Sequence, residues 1–183
     1  MKKEMLKILV VATSLMLAGC SGDSKAPEKT GPAPTSKATA PAVTEKKEKT
    51  TAEKWALIDK EFKAEMGIKD FYPFVVDAIA QRDEDKKEIT FTAVLQPKTK
   101  PADALDFADT MIRRYADLAR TYLGKDYKSG SKDYYGGLFD DYNAMIIIAP
   151  DGAKDPDDCF VFDHIMQGMH TKQPIELTKK YSK

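Results

Sequence analysis

The chain has 183 residues, with 29 basic and 29 acidic side chains and a formal net charge of zero. That length suits one folded domain with extensions, and the even charge balance argues against a dedicated nucleic-acid binder, which normally shows a basic excess concentrated on one face. The two cysteines, Cys20 and Cys159, allow at most one disulfide, and if Cys20 is consumed by other chemistry no disulfide framework or multi-cysteine zinc site can be built.

The first element in the chain is a targeting segment. Lys2, Lys3 and Lys7 make a positive start, and Ile8 to Leu17 form an apolar run. The run is shorter than the roughly 20 residues that a spanning helix needs. It breaks at Gly19, Cys20, Ser21 and Gly22. Leu17-Ala18-Gly19-Cys20 resembles the lipobox of bacterial lipoprotein signal peptides, in which an aliphatic residue and two small residues precede a cysteine. The resemblance implies that residues 1–19 are a signal peptide. It implies diacylglycerol joined as a thioether to the sulfur of Cys20, cleavage after Gly19 and acylation, as by palmitate, of the new amino group. It also implies a location in the bacterial cell envelope. Ser21, where an aspartate would retain the protein elsewhere, implies the outer membrane facing the periplasm in a Gram-negative host. Two or more acyl chains anchor a protein stably without a spanning helix, since each buried methylene contributes about 0.8 kcal/mol. Loss of Lys2, Lys3, Lys7 and Glu4 with the signal leaves 26 basic and 28 acidic side chains, a net charge of −2, too little to steer a charged partner over long range.

Residues 20–50 are rich in Pro, Ala, Thr and Lys and hold no aromatic residue. Such a stretch buries too little apolar area to offset its ordering entropy, which predicts a disordered tether. Pro27, Pro32, Pro34 and Pro41 bias it toward extended conformations, with a reach of roughly 30 Å as a coil and about 100 Å when stretched.

A single α+β domain is expected over 51–183. Thr50 and Glu53 have the spacing of a capping box, and Trp55, Ile58, Phe62 and Met66 recur at helical intervals up to Gly67. Period-two alternation in 74–81 and again in 89–95, either side of the charged RDEDKKE, predicts a β-hairpin. A long helix follows. Pro101 and Asp103 mark its start, Ala104, Ala108, Met111, Tyr115, Leu118 and Tyr122 form its apolar stripe, and Gly124 ends it. NAMIIIAP and CFVFDHIMQ read as two more strands. The order α-β-β-α-β-β predicts a four-stranded antiparallel sheet with two main helices. In Ala144–Ala149 both alternating sets are apolar, which predicts that both faces of the sheet are covered there. The first helix and the long helix could take one face each, or a partner protein could take the second.

The candidate binding residues are Tyr127, Tyr134, Tyr135 and Tyr142, grouped around Gly136-Gly137. Tyrosines on a loop stack on sugars or anchor a protein partner, or they fold back onto the sheet. Cys159 and His164 are five apart, on opposite faces of a strand, so they do not form a nucleophile pair. His164 and His170 are six apart, a poor spacing for chelation. Asp140, Asp141, Asp151, Asp155, Asp157 and Asp158 lie in turns but lack the spacing of a calcium loop. No phosphate loop, nucleophile elbow or HExxH motif is present. No catalytic residue, metal or cofactor is therefore assigned. The sequence favours a lipid-anchored envelope protein whose domain is a non-catalytic binding or assembly module. Its implied partners are the membrane, through the lipid on Cys20, and an envelope protein or cell-wall component. The alternative is a small envelope enzyme or solute-binding protein using the loop 125–142 and nearby aspartates.

Overall fold

The computed structural model describes residues 48–124, 126–169 and 171–182, all within one unit spanning Glu45–Lys183. The expected signal peptide, Cys20, the expected tether up to residue 47 and His170 lie outside the described residues.

Helix α1 spans Thr51–Met66. Thr50 caps it reciprocally: the Thr50 hydroxyl accepts from Glu53 N–H at 3.2 Å, and the Glu53 carboxylate accepts from Thr50 N–H at 2.7 Å. Two orphan amides are thereby satisfied. Trp55, Ile58, Phe62 and Met66 form its buried face, as their spacing predicts. Strands β1 (Val75–Asp83) and β2 (Glu88–Leu95) pair antiparallel as the expected hairpin. Asp83 builds its turn by accepting from the amides of Asp85 and Lys86 at 3.1 and 3.0 Å, a local bond that short acidic side chains favour in turns. The register slips between Val75 and Asp77. Val75 therefore points into the core while Val76 is 51% exposed, a phase that alternation counted from Phe74 does not predict.

Helix α2 spans Pro101–Leu123, with Pro101 in its first turn. The predicted stripe is buried from Ala104 through Leu118, joined by Phe107, Ile112, Ala116 and Ala119. A short helix α3 (Leu138–Asp141) follows, an element that the sequence did not announce. Strand β3 (Asn143–Pro150) and strand β4 (Val161–Ile165) complete a sheet of order β1-β2-β3-β4.

The sheet is mixed rather than antiparallel throughout. β2 and β3 are parallel, Glu88 facing Asn143 and Leu95 facing Pro150, while β3 and β4 are antiparallel. The cause is α2. Its 23 residues extend about 35 Å and carry the chain back along the sheet, so the next strand starts where β2 started. Two adjacent strands joined by such a crossover are parallel.

The layering also departs from expectation, because the helices share one face. Phe91 on β2 meets Phe62 of α1 at 6.0 Å, Tyr115 of α2 at 5.3 Å and Phe139 of α3 at 6.3 Å between ring centroids. One side chain on one side of the sheet thus touches all three helices. Ile89, Phe91, Ala93 and Leu95 of β2, with Ala144, Ile146 and Ile148 of β3, are buried there. The opposite set, including Ile147 and Met145, is only partly covered. No α-helix among the described residues packs on that outward face, and none is long and apolar enough to cross a membrane.

Candidate functional site

The four candidate tyrosines separate. Tyr135 is buried in the core, where its hydroxyl donates to the Gln173 carbonyl at 2.6 Å and its ring meets Phe139 edge-on. Tyr134 donates to the Asp140 carboxylate at 2.6 Å. Tyr142 is also buried, but at the start of β3, where its hydroxyl is shared between both oxygens of Glu84 at 2.9 and 3.0 Å. The Lys87 ammonium lies 5.1 Å from its ring centroid and Trp55 meets it edge-on at 5.9 Å. Tyr127 is half-buried. Burial, the Asp141 charge and a hydrogen bond to that carboxylate push its phenol up to about 12.

Only Tyr127 and Tyr142 of the four line a common cleft, of about 610 Å³, whose lining also holds Glu84, Asp126, Asp140 and Asp141 with Lys54 and Lys87. Its position follows from the fold: the start of α1, the end of α2, the β1–β2 turn and α3 meet at one end of the sheet. Three of its carboxylates already face tyrosine hydroxyls: Glu84 with Tyr142, Asp140 with Tyr134, and Asp141 with Tyr127. With lysines beside acids, the cleft suits a small polar solute bound through hydrogen bonds.

Beside it lies a half-buried polar layer. The Arg82 guanidinium packs over the Trp55 ring at 4.2 Å, and Tyr115 donates to Asp59 at 2.7 Å. Burial and the Asp59 charge push the Tyr115 phenol well above its usual range.

Cys159 is buried, with Sγ 3.9 Å from the Asp155 carbonyl, and burial raises its thiol pKa. A raised pKa keeps the sulfur as the protonated, weakly nucleophilic thiol at neutral pH. His164 sits on the outward face of β4, exposed and away from Cys159. Asp158 is held by Lys180 at 3.0 Å, which lowers its pKa. No group of three or more His, Cys, Asp or Glu is arranged to hold a metal among the described residues.

The second candidate surface is the sheet face that the doubly apolar pattern of 144–149 left to a helix or to a partner protein. The pairing register sets Ile79, Thr92, Ile147 and Phe162 side by side on the outward face, one from each strand. Val94 and Ala149 form a further apolar pair beside them. Phe162 is 45% exposed. The signal was present in the doubly apolar pattern of β3, which buried sheets and docking faces share.

Comparison with protein-family models, with curated proteins and with solved structures found no match to this chain.

Proposed function

We propose that this protein is a lipid-anchored lipoprotein of the bacterial cell envelope and that its α+β domain is a non-catalytic binding or assembly module. The observation that carries the binding role is the outward face of the sheet. A row of Ile79, Thr92, Ile147 and Phe162, apolar on three of its four strands and continued by Val94 and Ala149, crosses the sheet there, while three helices fill the other side. Contiguous apolar surface of this kind marks interaction sites. The anchor rests on the lipobox-like Leu17-Ala18-Gly19-Cys20.

Two measurements in intact cells test the two halves. A palmitate analogue is expected to label the wild-type chain and not Cys20→Ala; equal labelling of both refutes the anchor. A photo-crosslinker at Ile147 is expected to capture an envelope component that one at exposed Lys60 on α1 does not. Capture from neither position, or equally from both, refutes the module.

A second reading places the binding of a small polar solute in the cleft of Tyr127 and Tyr142, favoured by its 610 Å³ volume and mixed charges. Solutes that shift the amides of Tyr127 and Asp141, and not those of Ile147, would select it.

A further inference from the structure

The partner's chemistry can be read from the charges around the apolar row. Fourteen strand positions face outward, and none is Lys or Arg. Three are acidic, and all three lie toward the β1–β2 side: Asp77, Asp83 and Glu88. Lys63 of α1 pairs with Asp77 at 3.7 Å and Lys86 of the turn with Asp83 at 2.9 Å. Both pairs are exposed, where such contacts contribute little, and neither lysine occupies the face itself. At the β4 edge Asp163, Glu176 and Lys179 line the surface beside Phe162, so acids outnumber bases on both sides of the row. The centre holds no Lys, Arg, Asp or Glu: Ile79, Thr92, Ile147 and Phe162 form the row, and Gln81, Thr90, Met145 and His164 form the next.

We infer that this face docks an amphipathic helix of another envelope protein, whose apolar stripe is bordered by Lys or Arg. The inference rests on the binding-module reading and specifies its partner. The row runs about 14 Å across three strand spacings, and a three-turn helix, about 16 Å long, covers it. Basic residues along that helix then stand over Asp77, Asp83 and Glu88. Such complementarity raises the association rate and fixes which way the helix lies.

A second copy of this chain fits less well. Stacking two copies with β1 over β1 sets Asp77, Asp83 and Glu88 of one against those of the other.

The test uses the full chain carrying Cys20→Ser, so that no lipid is attached. The probes are two synthetic helical peptides that share one leucine stripe, flanked by lysines in one and by glutamates in the other. Amide shifts in the labelled protein report the site, and the titration gives the affinity. The lysine peptide is expected to shift Thr92, Ile147 and Phe162 and to bind about tenfold more tightly than the glutamate peptide. Its affinity is expected to fall with added salt and to be lost in Ile147→Lys with the fold retained by circular dichroism. Phe162→Ser is the second variant should Ile147→Lys unfold.

Equal affinity for both peptides, no salt dependence, or shifts confined to the Tyr127 cleft would overturn the basic-helix partner. So would binding of neither peptide. Dimerisation in sedimentation that Ile147→Lys abolishes would overturn it in favour of a second copy. In each of these cases crosslinking from Ile147 in cells still decides separately whether the face binds anything.

Discussion

Asp59 shows how one side chain couples the helix interface to pH. It lies on α1 and accepts from Tyr115 of α2. Burial raises its pKa above the ordinary 3.8, outweighing the Tyr115 hydrogen bond and the Arg82 charge, which lower it. A carboxyl with a higher pKa folded than unfolded binds more protons in the folded state. Its contribution favours folding at low pH and is lost as pH rises from about 3.8 through the folded value. Asp59→Asn keeps an oxygen for Tyr115 and removes the titration. The variant's melting temperature is expected to gain on the wild type as pH rises through that window. Thermal melts in a pH series check this, and parallel curves would show that Asp59 titrates alike in both states. Glu65 works in the opposite sense. Its hydrogen bond with Arg114 lowers its pKa, so its contribution is present above the unfolded value and lost on acidification.

Among the elements, the two long helices were written plainly in the sequence, and α3 and the strand directions were not. The Thr50–Glu53 box and the stripe of α2 each follow from local spacing, and both formed where that spacing placed them. Period two states that a strand exists and not which way it runs, so the hairpin was legible and the parallel β2–β3 pairing was not. Direction came from the crossover through α2. The Val76 bulge similarly shifted the phase of β1, because one inserted residue exchanges the faces of a strand. The candidate site was legible in part. Tyr127 and Tyr142 reached a cleft, but the backbone around Gly136-Gly137 turned Tyr135 inward, which residue type alone does not foretell. That backbone is tightly packed. A Cβ at Gly137 would lie 2.6 Å from the Lys128 amide nitrogen and 3.1 Å from Tyr127 Cα. Backbone cannot rotate away as a side chain can, so Gly137→Ala is expected to cost about 1–3 kcal/mol, as overpacking does. Urea denaturation measures it, and an unchanged midpoint would mean that the segment before α3 shifts without resistance.

Across the whole molecule, stability concentrates where the three helices meet Phe91. Phe62, Phe91 and Tyr115 meet one another at 5.3 to 6.0 Å. Edge-on pairs of this kind contribute about 0.5–1.5 kcal/mol each beyond the area they bury. The same centre carries a kinetic consequence. Each pairing across β2 and β3 joins residues 55 apart in the chain, whereas β1 meets β2 across a short turn and β3 meets β4 across a ten-residue connection. Closing the long loop costs entropy before its contacts return anything. Formation of α2 shortens that loop, so the helix belongs in the folding nucleus. Thr110, whose hydroxyl bonds back to the Asp106 carbonyl at 2.8 Å, is a weak helix former in the middle of α2. Thr110→Ala gains about 0.5 kcal/mol of helix propensity and is expected to speed refolding about twofold with unfolding unchanged. Stopped-flow kinetics that show only slower unfolding would place the central pairing ahead of the helix. A sheet joined through its middle by its longest loop closes its two flanking strand pairs first and the seam between β2 and β3 last, under the Phe91 cluster that then holds it shut.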